Sequence, residues 1–269
     1  MKLGLIGCGK MGRALLEGAL KAGTVKAEDV YVSSRTAETR QALSDELGVN
    51  AVESNVEVVQ NSNAVYLCTK PHIIPLVLVE LNEEPECLND VLLISAAAGL
   101  TLETLESPLP HGTRMVRCMP NTPSLIGKGA AAYTLGTHAN DADAETTCKL
   151  LGAAGSVIEV PEKLMDAVTG VSGSGPAYVY TFIEALADGG VFEGLPRQQA
   201  LELATQTVLG AASMVAETGL HPAILRDMVC SPGGTTITAV KALEDNGFRS
   251  AAINAVSASA NKARELGRK

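Results

Sequence analysis

Aromatic side chains are scarce in this chain. Phe, Tyr and Trp make up 3% of its 269 residues, and Trp is absent. A core built from this composition must be aliphatic, and stacking platforms for single-stranded nucleic acid have no material. Positive charge is also short. With 21 Lys and Arg against 30 Asp and Glu, the formal net charge is −9 at pH 7. Such a chain, with no basic stripe, is a poor partner for duplex DNA. Any anion it holds must be met by local cations or by backbone N–H groups. The six cysteines, at 8, 68, 87, 118, 148 and 230, form no C-x-x-C pair, and no His stands at zinc spacing. This opposes a disulfide framework and a metal site, and predicts reduced, buried thiols. A Cys nucleophile would lack a His-rich partner segment. The longest apolar run, 91–100, is about half of a membrane span. The chain enters its first apolar strand at Lys2 without a signal-like region. These absences predict a soluble, cytoplasmic protein that binds neither nucleic acid nor membrane.

What is present falls into two halves. Up to residue 160, short apolar runs alternate with helical patterns. Strands are expected at Lys2–Ile6, Val30–Ser33, Ala64–Cys68, Val91–Ser95, Arg114–Met119, Ala130–Leu135 and Val157–Val160. Between most of them lie helical stretches: Met11–Ala22, Ala37–Leu47, Val56–Gln60, Ile73–Leu81, Leu102–Leu105 and Ala142–Leu151. Alternation of this kind predicts an α/β domain with a doubly wound parallel sheet over residues 1–160. After Pro161 the strand signals stop, and residues 161–269 read as all-helical. Helices are expected at Ala177–Phe192, Pro196–Glu217, Pro222–Val229, Thr236–Asn246 and Phe248–Leu266. Several carry Ala, Val and Leu on more than one face, as in Leu203-Ala204 and Val208-Leu209. That predicts a subunit interface, although a well-buried central helix would show the same pattern.

The segment Gly7-Cys8-Gly9-Lys10-Met11-Gly12 follows the apolar strand ending at Ile6 and opens an amphipathic helix. In that context the glycines have separate tasks: Gly7 for a tight turn, Gly9 for close approach of a diphosphate, Gly12 for helix–strand packing. The helix N-terminus adds free N–H groups and a partial positive charge. The first domain therefore reads as Rossmann-like and dinucleotide-binding; a glycine-rich turn without a ligand is the alternative. An NAD site usually has Asp or Glu at the end of the second strand. Here the residues are Ser33-Ser34-Arg35, which suit a 2′-phosphate and predict NADPH, with NADH as a second possibility. An exposed polar turn would look alike. Cys68-Thr69-Lys70-Pro71 and Ala96-Ala97-Ala98 follow two further strands and should line the same crevice. Lys70 suits a phosphate or ribose oxygen, or is simply solvated.

The helical half carries two glycine-rich segments, Val171–Pro176 and Ser231-Pro232-Gly233-Gly234-Thr235-Thr236. The second opens a helix and has the form of a cradle for a small carboxylate, although plain helix capping also explains it. No His–Asp pair and no Lys stands ready as an acid. Carbonyl reduction needs a proton donor for the developing alkoxide, whereas a protonated imine does not. A cyclic or secondary imino acid fits this set.

Four stretches now resemble pyrroline-5-carboxylate reductase: Lys70-Pro71-His72, Arg117–Pro123, Asp166–Tyr178 and Asp227–Thr236. The resemblance runs nearly end to end. It implies reduction of L-1-pyrroline-5-carboxylate to L-proline with NAD(P)H, the last step of proline biosynthesis. It implies cofactor contacts at Ile6 to Met11, Ser34, Asn55, Cys68 to Pro71 and Ala96 to Ala98. It places the substrate carboxylate on the N–H groups of Gly234, Thr235 and Thr236, with the Thr236 hydroxyl towards the ring nitrogen and Glu162 nearby. Helices of two subunits would interleave in a dimer, which in the family often assembles into decamers. Met228 departs from members that carry a cofactor-contacting Asn there. A 3-hydroxyacid dehydrogenase of the same two-domain plan is the nearest alternative, but it needs a catalytic Lys, and 174–192 has none. A non-catalytic NADP-binding regulator is a second, without a recognition module to support it.

Overall fold

The computed structural model describes residues 1–267; the last two residues of the expected second domain lie outside them. The first 160 residues form β1 (Leu3–Ile6), α1 (Lys10–Lys21), β2 (Val30–Ser33), α2 (Ala37–Leu47), β3 (Asn50–Val52), α3 (Asn55–Gln60), β4 (Ala64–Leu67), α4 (Ile74–Glu83), β5 (Leu92–Ser95), α5 (Leu102–Glu106), β6 (Arg114–Met119), β7 (Gly129–Leu135), α6 (Asp141–Gly152) and β8 (Gly155–Glu159). The strands make one sheet in the order β3-β2-β1-β4-β5-β6-β7-β8.

Strand alternation explains why helices cover both faces. Leu3 and Leu5, Ala64 and Tyr66, Leu92 and Ile94 pack with Leu15 and Leu16 of α1, Leu43 of α2 and Leu150 of α6. Their neighbours Ile6, Val65, Leu67 and Leu93 pack with Val58 of α3, Leu78 of α4 and Leu105 of α5. Strands buried on both faces carry continuous apolar runs, and such runs mark β1, β4 and β5 in the sequence.

Two departures from the expected sheet have physical causes. The first is β3, whose residues Asn50-Ala51-Val52 are half-buried at the sheet edge and too short and polar to announce a strand. The second is direction. β1 to β6 pair in parallel, but β7 pairs antiparallel with β6, and β8 runs parallel to β7. A parallel neighbour requires a helical crossover. Residues 120–128 hold only a short 3₁₀ turn, Thr122–Ile126, so the chain can only fold back beside β6.

After β8 the chain is helical: α7 (Met165–Val168), a π turn (Thr169–Gly173), α8 (Gly175–Phe192), α9 (Arg197–Thr218), α10 (Pro222–Met228), α11 (Thr235–Asp245) and α12 (Phe248–Gly267). Contacts group the chain into two compact units, Gly175–Ser257 and the remainder, so the end of α12 from Ala258 belongs with the sheet. The strand-to-helix change at 160 thus falls inside the first unit. Two local packings account for this. Ser174 and Ser259 share a hydroxyl–hydroxyl hydrogen bond of 2.8 Å. The end of α12 also lies so close to the loop after β5 that a Cβ on Gly267 would stand 2.6 Å from the Gly99 carbonyl oxygen. Within the second unit, α8 and α9 pack through Ala187, Ala200 and Ala204, with Ile183 and Val191 beside them. Among the described residues, no helix is long and apolar enough to cross a membrane.

Candidate functional site

The strand register sets the site. Ile6 is level with Ser33 and Leu67, Leu67 with Ser95, and Ser33 with Val52. The residues that follow each of these therefore emerge along one edge: Gly7, Ser34, Cys68, Ala96 and Glu53. The reversal of strand order between β2 and β4 opens a crevice above β1, where open α/β sheets bind ligands. A cleft of about 650 Å³ lies there, lined among others by Ile6, Gly7, Ser33, Arg35, Asn55 and Thr69.

The three glycines occupy three different situations. Gly7 has φ +92°, and a Cβ there would sit 2.6 Å from Thr69 Cγ2. A Cβ on Gly12 would lie 2.4 Å from the Gly7 carbonyl oxygen. At Gly9 a Cβ would meet nothing within 4 Å. Turn, packing and open approach are thus divided as the motif's chemistry requires. Gly9 is also the N-cap of α1 and offers no side chain to its free N–H groups. Beside the cleft, the buried Thr69 Oγ1 has no hydrogen-bond partner, an orphan that a ligand oxygen would satisfy. These features fit a dinucleotide.

Lys10 and Met11 are the first residues of α1, and Met11, Cys68 and Ala96 pack against the core rather than line the cleft. Lys70, Pro71 and Ala98 are exposed, and Ala97 is buried. Burial pushes the Cys68 thiol up to about 12, with Cys8 adding to the effect. Burial also raises Cys8, opposed by Arg13. Both thiols stay protonated near neutral pH and act as small apolar side chains.

At the far end of the cleft, Ser33 Oγ donates to Asn55 Oδ1 at 2.7 Å, and Asn55 Nδ2 donates to Glu80 Oε2 at 2.7 Å. Ser34 and Arg35 precede α2, which is capped by Thr36 accepting from the Thr39 N–H. Ser33-Ser34-Arg35 alone predicts no carboxylate here, yet Glu53 and Glu80 both line the cleft. The weak strand β3 hid the first of them. Arg40, also unanticipated, pairs with Glu53 at 3.2 Å.

In the first unit, Glu162 Oε1 accepts from the Leu102 N–H at 2.6 Å and from Arg117 Nη1 at 2.9 Å. It ties α5 to the nearly buried Arg117, a structural duty the sequence did not reveal. Two of the quoted stretches also meet. Asn121 Nδ2 donates to the Ser172 carbonyl at 3.0 Å, its Oδ1 accepts from the Ala130 N–H at 2.9 Å, and a Cβ on Gly173 would strike Met119 Cε at 2.7 Å. Gly173 therefore serves helix packing, within a π turn closed by the Ser174 N–H on the Thr169 carbonyl at 2.9 Å, whereas a Cβ on Gly175 would meet nothing within 4 Å.

In the second unit, Ser231–Gly234 form a turn with Gly233 at φ +68° and the Gly234 N–H on the Ser231 carbonyl at 3.1 Å. That N–H is thus engaged within the turn. Helix α11 begins at Thr235, one residue earlier than expected, and its N-cap Gly234 supplies no side-chain bond. The first-turn N–H groups of Thr235 and Thr236 are left for another acceptor. Met228 is exposed.

Two family models match the chain. The one described as "NADP oxidoreductase coenzyme F420-dependent" covers 2–99, and the one described as "Pyrroline-5-carboxylate reductase dimerisation" covers 162–266. The pyrroline-5-carboxylate reductase of Methanosarcina acetivorans is 44% identical over 268 residues, 100% of this chain and 98% of that one. The chain belongs to the pyrroline-5-carboxylate reductase family. Solved structures agree with that membership. A pyrroline-5-carboxylate reductase from Coxiella burnetii matches with a TM-score of 0.93 at 34% identity, covering 100% of this chain and 99% of its own. The Plasmodium falciparum pyrroline carboxylate reductase with NADP bound matches at 0.87 and 34%, covering 99% and 98%. Family membership supports a nicotinamide cofactor, and the matched dimerisation region supports self-association.

Proposed function

We infer that this protein reduces L-1-pyrroline-5-carboxylate to L-proline with NADPH, the last step of proline biosynthesis. The observation that carries the reading is the end-to-end match to the family at 44% identity. The intact crevice over Gly7, Gly9 and Gly12 supports it. The bound cofactor supplies the hydride, and the imine carbon of the substrate receives it. The protonated imine already bears the positive charge that hydride neutralises, so no general acid is required. The protein's own task is to position the imine carbon about 3–3.5 Å from the donor.

In this reading residues 1–160 hold the cofactor, and 161–269 hold the substrate and the second subunit. The N–H groups of Thr235 and Thr236, at the N-terminus of α11, receive the substrate carboxylate, with Ser231, Gly233 and Gly234 shaping the turn. Gly234 contributes conformation rather than its N–H, which the turn already uses. The Thr236 hydroxyl hydrogen-bonds the ring nitrogen. Glu162 acts near the substrate through the α5 and Arg117 contacts it makes. Ser33, Ser34 and Arg35 favour NADPH over NADH, with Asn55 as a further cofactor contact. Exposed apolar residues of the second unit, among them Tyr180, Phe192, Leu203, Leu209 and Ile253, form a homodimer interface that extends to a decamer. The enzyme works in the cytoplasm.

The test is NADPH oxidation with L-1-pyrroline-5-carboxylate as substrate. Rapid turnover is expected, with little on a 3-hydroxyacid; no turnover on the imino acid overturns the assignment. Thr236→Ala should lower kcat/KM by the loss of a hydrogen bond worth about 1–3 kcal/mol.

A further inference from the structure

The strongest unassigned feature is the ion pair at the far end of the nucleotide cleft. Glu53 follows β3, level with Ser34, and lines the same cleft as Arg35, Thr36 and Thr39. A carboxylate at this level would repel a 2′-phosphate and accept from a 2′-hydroxyl. On its own, Glu53 makes the cleft suit an unphosphorylated nucleotide.

Arg40 alters that balance. It stands in the first turn of α2, and its guanidinium reaches three acceptors. Nη1 donates to the Ser34 carbonyl at 2.8 Å and to the Arg35 carbonyl at 3.3 Å, while Nη2 donates to Glu53 Oε2 at 3.2 Å. Its side chain is 20% exposed against 78% for Glu53, so the pair is anchored from the Arg40 side. The two carbonyl bonds hold the turn that presents Ser34 and Arg35. Arg35 itself is exposed and enters no ion pair among the described residues, so its guanidinium stays available.

We propose that Arg40 is a positioning residue that determines nucleotide choice: it neutralises Glu53 and fixes the Ser34–Arg35 turn, and so converts a cleft suited to a 2′-hydroxyl into one that takes a 2′-phosphate. The proposal rests on the reading of this cleft as the dinucleotide site and adds the residue that sets its selectivity. Arg40 does not touch the nucleotide. It acts through Glu53 and the turn.

Titration calorimetry with NADP⁺ and with NAD⁺ tests this without turnover, on the full chain and on Arg40→Gln, Glu53→Gln and the double variant, each first checked by thermal melting. Arg40→Gln should weaken NADP⁺ roughly tenfold or more and leave NAD⁺ unchanged or tighter, because an unpaired Glu53 faces a phosphate dianion. The double variant should recover the share of NADP⁺ affinity lost to the Glu53 charge, though not the share lost with the Ser34–Arg35 turn; a merely structural role for Arg40 would allow no recovery. Equal weakening of both nucleotides without rescue by Glu53→Gln overturns the proposal, as does an unchanged affinity ratio. If the unaltered chain binds neither nucleotide, the dinucleotide reading itself falls. If it binds both and the ratio ignores Arg40, only the proposal falls.

Discussion

Gly9 and Gly12 lie three residues apart, and substituting each by Ala should fail in opposite ways. A Cβ on Gly12 would stand 2.4 Å from the Gly7 carbonyl oxygen, 3.0 Å from Cys68 Cβ and 3.3 Å from Leu5 Cδ1. Ordinary contact begins at 3.4 Å, so the start of α1 must retreat by about 1 Å. Overpacking of this kind costs about 1–3 kcal/mol. At about 2–4 °C per kcal/mol for a chain of this size, Gly12→Ala should melt several degrees lower without any ligand. Gly9 differs. Its φ of −77° suits any residue, and its Cβ would point into open space. The weaker N-capping of Ala is offset by the lower entropy of the unfolded chain, so the melting temperature should stay within about 1 °C. In the proposed function, this open space admits the cofactor diphosphate to the α1 N–H groups. Each charged hydrogen bond lost there is worth about 1.5–3 kcal/mol, so Gly9→Ala should weaken NADP⁺ at least roughly tenfold. Thermal melting and titration calorimetry on the two variants decide the matter. A Gly9→Ala protein that binds NADP⁺ normally, or that melts as low as Gly12→Ala, would refute the division of tasks.

Three further outcomes are expected. Asn121→Ala removes two hydrogen bonds that join β7 to the π turn, and should destabilise the protein by about 1–3 kcal/mol in urea unfolding; no change would mean that the two stretches are held by packing alone. The Cys68 thiol, raised by burial to about 12, binds its proton more tightly in the folded state than in the unfolded one. Its contribution is therefore full below pH 9 and is lost as pH climbs from 9 towards 12; Cys68→Ala should flatten that decline in a pH series of melts. Light scattering at micromolar concentration should show a dimer or larger, and a monomer would remove the interface assigned to the second unit.

Much of the fold was legible because burial on both faces writes itself into a strand. Leu3–Ile6, Ala64–Leu67 and Leu92–Ser95 are continuous apolar runs, and each was anticipated within a residue or so at its ends. The edge strand Asn50–Val52 escaped because half-burial demands no apolar run. The reversal of β7 escaped because direction depends on the connection that precedes it, and residues 120–128 are too short for a crossover. In the site, Gly7 and Gly12 were legible because only a residue without a side chain meets their local geometry, and Gly9 because the motif spacing marks it. Arg40 and Glu53 were not: an Arg inside a helix and a Glu after a weak strand look like ordinary surface charge until the register sets them together. Glu162 looked like a substrate contact, and the structure adds its bonds to Leu102 and Arg117.

The sequence by itself determined the class of the fold, the crevice motif and the family, because each rests on residue type at fixed short spacing. Tertiary structure alone decided where the two quoted stretches meet and which charges share the far end of the cleft. Those are properties of the register between strands and the approach between elements, and through-space distance leaves no period in the chain.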